Sequence, residues 1–359
     1  MTASPLALVA DALRDPGTLP GLSLPAWEQL VHATRRADLL ARVACLVEAH
    51  GISGQVPAAP NAQLLAARHL AQAQHDEVRR EVRHVIEALR PLDVRVVLLK
   101  GAAYVVADMA AAAGRLFSDI DILVPKNRLA EVESALMQHG WMTTHPDAYD
   151  QRYYREWMHE LPPLQHVSRQ TVLDVHHAVL PVTARLKPDS GKLLESALPV
   201  ADAPAPYVLA PLDVILHNVT HLFHNEELSH GLRDLSDLDL LLRRGSVERD
   251  FWPRLVARAT DLDLARPLHY GLRYANRLLA TPVPDSALAA AAENAAPNAA
   301  LGRLMDGVWS RGLASSLHAR IDMPTRASLV LLYLRAHWLR MPPALLCRHF
   351  VAKAGRIFK

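Results

Sequence analysis

The chain has 359 residues, half of them hydrophobic and 21% charged, with Lys+Arg 39 against Asp+Glu 37. That length predicts more than one core, and that composition describes a folded globular protein rather than a disordered one. A net charge of +2 gives no bulk attraction for long nucleic acid, and two cysteines, Cys45 and Cys347, are too few for a disulfide framework or a thiolate zinc site.

Alanine and leucine dominate, which favours helices. Through Leu30, Leu39, Leu40, Val43, Leu46 and Val47 the apolar residues recur at helical spacing, up to a stop at His50-Gly51. A Pro/Gly-rich loop follows to Pro60. From Asn61 a long charged helix is predicted to run to Arg90, where Pro91 ends it. Its Arg79, Arg80, Arg83 and Arg90 make a local basic face, the only hint of an RNA acceptor.

The character then changes. Val94 to Leu99 is short and β-branched, a strand buried on both faces. Lys100-Gly101 turns into an alanine-rich helix, Ala102 to Ala113. Ile120 to Val124 reads as a second strand, and Asn127 caps a helix reaching Gln138. Leu164–Ser168 and Thr171–His176 form a hairpin around Arg169-Gln170. The order strand, helix, strand, helix, hairpin makes this stretch a small α/β or α+β domain. Beyond a proline-rich connector at 201–211 the pattern is helical again, at Leu212–Phe223, Leu232–Arg243, Phe251–Thr260, Leu264–Leu279 and Arg326–Leu339. No apolar run approaches the ~20 residues that cross a bilayer. With no signal-like N-terminus, a cytoplasmic location is expected by elimination.

The chemistry is concentrated in three places. Asp119 and Asp121 are two apart on a strand, so both carboxylates share one face while Ile120 and Ile122 enter the core. Adjacent carboxylates repel, and a divalent cation between them resolves the repulsion. Asp174, set among apolar residues in Val172-Leu173-Asp174-Val175-His176, supplies a third acid if its strand lies beside the first. Lys100-Gly101, with Ala102, forms a strand-to-helix turn suited to phosphate. Arg115 either steers phosphate or pairs with an acid, and Ser118 precedes the Asp pair. His176 shares Asp174's face by alternation, as a substrate contact or as a satisfied structural histidine.

The segments Leu99-Lys100-Gly101-Ala102-Ala103, Arg115 to Val124 and Leu173 to His177 resemble the bacterial uncharacterised nucleotidyltransferase family, within the polymerase-β-like nucleotidyltransferase superfamily. The resemblance implies an α+β fold, in which a small mixed-sheet domain is flanked by helical regions at both ends. It divides the chain into an N-terminal helical region (1–90), a nucleotidyltransferase-like domain (91–182) and a C-terminal helical domain (183–359). It implies Mg²⁺, with Mn²⁺ as an alternative, held by Asp119, Asp121 and Asp174. It further implies transfer of a nucleoside monophosphate from an NTP, such as ATP, to an acceptor. Lys100, Gly101, Ala102, Arg115, Ser118 and His176 are the expected nucleotide contacts. The sequence departs from the superfamily in having Ala102 where Gly or Ser usually follows the first glycine, so a hydroxyl contact to phosphate is lost.

Two rival readings remain at this level. One is a non-catalytic, nucleotide-binding regulatory or antitoxin-like module of the same fold; the other is a helical scaffold. His217, His221 and His224 share one helix face but diverge too far to close a zinc site, so they are read as packing or cleft-lining residues. Arg233 and Asp237, four apart, are expected to pair. The basic tail, Arg348 to Lys359, is read as solvated, with a membrane-surface or partner contact as the alternative.

Overall fold

The computed structural model describes residues 4–145, 147–200, 206–293 and 295–346. Cys347 and the basic tail therefore lie outside the described residues, as do residues 201–205 of the proline-rich connector. The N-terminal helices are α1 (Pro5–Arg14), α2 (Leu24–Arg36), α3 (Leu40–Ala49) and α4 (Ala58–Leu89). The last buries a stripe of Leu64, Ala71, Val78, Val82 and Val85, the period expected of one core-facing helix surface. Pro91 follows its last turn, and Asp93 takes a left-handed φ of 47° as the chain leaves it.

The sheet begins with β1 (Val97–Leu98), followed by α5 (Lys100–Val106), β2 (Ile120–Leu123), α6 (Leu129–Gln138), β3 (Trp141–Thr143) and α7 (Ala148–Trp157). The hairpin is β4 (Leu164–His166) and β5 (Val172–His176), turned by Gln170 at φ 61°. After α8 (Ser190–Ser196) come β6 (Leu198–Pro199) and β7 (Tyr207–Val208). The strands join in one seven-stranded mixed sheet, ordered β3-β4-β5-β2-β1-β7-β6. The sheet thus recruits two short strands from beyond residue 182.

Two predicted elements are shorter than expected. Regular pairing of the Val94–Leu99 segment is confined to Val97 and Leu98, although Val96 to Leu99 are all buried as a central strand requires. The predicted helix over 102–113 stops at Val106. Asp108 turns left-handed (φ 46°), and the alanines continue as a 3₁₀ turn, Ala110–Ala112. The reason is tertiary: the Arg42 guanidinium donates to the carbonyls of Ala111 (2.7 Å) and Ala113 (3.1 Å), taking acceptors that a helix would use. Gly114, at φ 65°, follows where a Cβ would overlap the backbone of Ala41.

The remaining helices are α9 (Pro211–His224), α10 (Gly231–Gly245), α11 (Phe251–Asp261), α12 (Ala265–Leu279), α13 (Asp285–Glu293), α14 (Ala299–Leu313) and α15 (Met323–Arg340). Leu232, Leu235, Leu238 and Leu242 form the fully buried ridge of α10, which packs on α9, α12 and the Ala110–Ala112 turn. The two helical regions also close on each other. Arg14 donates to Leu278 O at 2.7 Å, and Arg36 donates to Leu317 O at 3.0 Å. No helix among the described residues is long and apolar enough to cross a membrane.

Candidate active site

The parallel pairing of β2 with β5 sets Asp121 directly opposite Asp174. Asp119 precedes β2 by one residue, on the face of Asp121. The three carboxylates offer oxygens that all lie within 4.8 Å of one another. The convergence expected from period-two alternation is therefore present. Its precondition, that the two aspartate strands be neighbours, is met by the sheet order.

Asp121 is 2% exposed and carries most of the local bonding. Lys100 Nζ donates to its Oδ1 at 2.7 Å, and His176 Nε2 lies 3.0 Å from the same oxygen. Among the described residues no donor reaches Oδ2. Burial alone would raise the Asp121 pKa, but Lys100 and His176 outweigh it and hold the carboxyl well below its usual range. Burial would likewise lower Lys100, yet Asp121 and Asp119 keep it above the ordinary lysine value. Lys100 is thus engaged with a carboxylate rather than standing free for phosphate. It also holds φ 45° at the head of α5, a strained position for a side-chain-bearing residue.

Asp119 and Asp174 have the opposite electrostatics. Asp119 accepts the Ser118 hydroxyl at 3.0 Å, and its pKa is raised first by Asp121 and then by burial. Asp174 has a buried Oδ1 with no hydrogen-bond partner. Burial first, then Asp121 and Glu160, push its pKa up to about 7. The folded chain without divalent cations therefore holds this proton more tightly than the unfolded chain. Its contribution to stability is complete below about pH 4 and is lost as pH rises through about 7. In a chelator, wild type is thus expected to lose stability relative to Asp174→Asn across that window. Denaturant midpoints of both proteins at its two ends read the difference directly. A gap that does not move with pH would remove Asp174 from the perturbed set.

An orphaned oxygen on one acid and an open oxygen on its neighbour are what a hard divalent cation takes up, and the all-carboxylate donor set fits Mg²⁺ or Mn²⁺. An open cleft of about 180 Å³, between α4 and the β4–β5 turn, reaches Asp119. The 540 Å³ cavity lined by Met109, Asp213 and Arg258 touches none of the three aspartates.

Several residues around this centre also make structural contacts. A Cβ at Gly101 would overlap the Phe117 ring and crowd Arg115 Nη1, so this glycine serves side-chain packing beneath the turn. Ala102 is buried behind it. Arg115 is buried and bonded to Asp237 (2.6 Å), with Asp234 at 3.5 Å, so its charge is already matched. Asp237 also lies 2.8 Å from Arg42. The expected Arg233–Asp237 pair does not form: Arg233 bonds Asp234 at 3.0 Å instead, because Asp237 points into the core toward Arg115. His75 Nε2 contacts Arg115 O at 2.9 Å, and Gln74 accepts the Phe117 N–H at 3.2 Å. The α4 helix thereby fixes the loop that delivers Asp119.

From α9, His217 is buried, and burial, then Lys100 and His176, depress it to about 3. It is a neutral wall beside the aspartates. His221 Nδ1 lies 3.8 Å from Asp234. His224 is depressed to about 3 by burial and by Arg335 and Arg340. Among the described residues these three do not gather into a metal site. Two residues escaped the sequence reading, His159 and Glu160. Glu160 Oε2 is 3.3 Å from His176 Nδ1, and the His159 and His176 rings are 5.1 Å apart. Adjacent His and Glu carry no periodic signal, and only the pairing of Glu160 with His176 as a β-bridge brings them in.

No curated protein matches the chain. The model of an uncharacterised nucleotidyltransferase family matches residues 23–280, which takes in the aspartates, the Lys100-Gly101 turn, α9 and α10. On that match, which spans most of its length and all of this site, the chain belongs to the uncharacterised nucleotidyltransferase family.

Proposed function

We propose that the protein is a Mg²⁺-dependent nucleotidyltransferase that moves a nucleoside monophosphate from an NTP to a hydroxyl on a small molecule or a peptide. The convergence of Asp119, Asp121 and Asp174 through the β2–β5 register, with a buried Asp174 oxygen left unpartnered, is the observation that supports this most. When bound, the cation supplies charge neutralisation at the phosphates.

The chain's own residues do the rest. Asp119 and Asp121 present their oxygens from one rigid strand end. Lys100 and His176 fix the Asp121 carboxylate by bonding a single oxygen, Oδ1. Lys100 is therefore a positioning residue, phosphate contacts fall to the first-turn N–H groups at Gly101 and Ala102, and the Ser118 hydroxyl, which donates to Asp119, orients that carboxylate. Asp174, directly opposite Asp121 across the β2–β5 pairing, is the group placed to take the acceptor proton. His217, neutral, walls the site without adding charge.

Calorimetric titration of each NTP with Mg²⁺ tests the reading. One-to-one, Mg²⁺-dependent binding is expected, with loss in the Asp119→Asn/Asp121→Asn double variant. Folded wild type that binds no NTP would sink it. Binding without pyrophosphate release across diverse acceptors would instead identify a non-catalytic nucleotide-binding module.

A further inference from the structure

Next to the aspartates lies a second cluster of different chemistry. His159, Glu160 and His176 each offer a ligand atom within 4.8 Å of the other two. Glu160 Oε2 is 3.3 Å from His176 Nδ1 and 3.9 Å from His159 Nε2. The backbone holds all three in place. Glu160 bridges His176, Leu161 N–H donates to Val175 O at 2.9 Å, and His177 N–H donates to His159 O at 2.8 Å. The side chains are 12%, 17% and 4% exposed in chain order, so the donors are held inside the fold rather than on a surface loop.

The nucleotidyl-transfer reading gives His159 no task. Its Nδ1 is buried with no hydrogen-bond partner, and its Nε2 approaches only Glu160. An ion would not partner that Nδ1; it is Nε2, 3.9 Å from Glu160 and so beyond hydrogen-bond distance, that leaves room for a ligand. The two cations nearby do not fill the gap. Lys100 bonds Asp121, and Arg340 pairs with Glu226.

We propose that His159 Nε2, Glu160 Oε2 and His176 Nδ1 form a site for a zinc-type transition metal ion, separate from the all-oxygen aspartate site. Two imidazoles and one carboxylate are the ligand set of three-ligand zinc sites that keep one position open. The same set is too rich in nitrogen for Mg²⁺. Tetrahedral bonds of about 2.0–2.1 Å imply donor separations of about 3.3 Å. The observed 3.3 and 3.9 Å ask for movements of a few tenths of an ångström at Glu160, and the His159 and His176 donors, within 4.8 Å of each other, for a closure of at most about 1.5 Å. Both His176 nitrogens are then assigned: Nδ1 to the ion, and Nε2–H to Asp121 Oδ1 at 3.0 Å. That is a carboxylate–histidine–metal relay, in which the outer carboxylate orients the ring. Asp121 thus belongs to both centres. The proposal rests on the donor geometry and stands whether or not the aspartates serve nucleotidyl transfer.

The test uses the full chain, stripped with a chelator and titrated with Zn²⁺ in excess Mg²⁺. A parallel titration with Co²⁺ reads the visible bands of a low-coordinate nitrogen/oxygen site. One equivalent of Zn²⁺ is expected, retained in Asp119→Asn/Asp174→Asn. Glu160→Gln and His159→Gln are each expected to weaken it by about a hundredfold. Melting in chelator checks that the variants fold; if His159→Gln does not, the near-isosteric Glu160→Gln decides. Three outcomes overturn the proposal: no Zn²⁺ bound by wild type, binding that the aspartate double variant abolishes, or binding that Glu160→Gln leaves intact. NTP titrations on the same samples report the nucleotide reading separately, so failure of either is distinguishable from failure of the other.

Discussion

Asp119→Asn is expected to lower pyrophosphate release from Mg²⁺·NTP by about a thousandfold while leaving the fold as stable as the parent, or more so, at neutral pH. The magnitude follows from several kcal/mol of charge stabilisation supplied through a metal ligand, at 1.36 kcal/mol per tenfold in rate. The sparing of stability follows from the site. Asp119 is half-buried and accepts only the Ser118 hydroxyl, and its pKa is raised chiefly by the Asp121 carboxylate. In the cation-free chain its charge is therefore a source of repulsion, which the amide removes. Asp121→Asn is the less clean probe, because Lys100 and His176 both depend on Oδ1. Pyrophosphate release and thermal melting in chelator, run side by side, separate the two effects. Unchanged release by a folded Asp119→Asn would remove Asp119 from catalysis. Loss of both activity and stability would reassign it to the scaffold.

The largest effect on stability is expected from Asp237→Ala, at about 3–5 kcal/mol, the cost of stranding buried charge. Asp237 is fully buried, between the Arg115 Nε at 2.6 Å and the Arg42 Nη2 at 2.8 Å. Arg42 keeps its bonds to Ala111 O, Ala113 O and Ser236 Oγ, so it cannot swing out to solvent without breaking them. Without Asp237, Arg115 would keep Asp234 at 3.5 Å as an ion-pair partner, and Arg42 would have no carboxylate within 4 Å among the described residues. Three segments distant in sequence meet at this carboxylate: α3, the loop before β2, and α10. Its loss therefore also loosens the loop that carries Asp119. Denaturant unfolding should show a lowered midpoint at unchanged slope. Asp237→Asn, which keeps the shape and one acceptor, should fall between the two. An alanine variant within about 0.5 kcal/mol of wild type, the range of an ordinary surface change, would mean that the network does not hold these segments together.

Local chemistry along the chain encodes one part of this structure. Period two put Asp119 and Asp121 on one face, apolar flanks marked β2 and β5, Gln170 closed the hairpin, and Pro91 ended the long helix. Each of these signals lies within about ten residues of chain, and tertiary contacts did not override them. The rest depended on which distant segments meet. Lys100 reads as a phosphate ligand until the antiparallel β1–β2 pairing brings it to Asp121, 21 residues on. Arg233 and Asp237 read as a helical pair until Arg115, 122 residues from Asp237, claims the aspartate. The alanines of 110–113 read as helix until Arg42 draws off the carbonyls of Ala111 and Ala113. The strands β3, β6 and β7 are two or three residues long, too short for any periodicity, and exist because a neighbouring edge offers them hydrogen bonds. His159 and Glu160 became visible for the same reason. Hydrogen bonds and ion pairs are short-ranged in space but indifferent to separation along the chain, so their partners were decided only when the sheet and the helices around it were assembled.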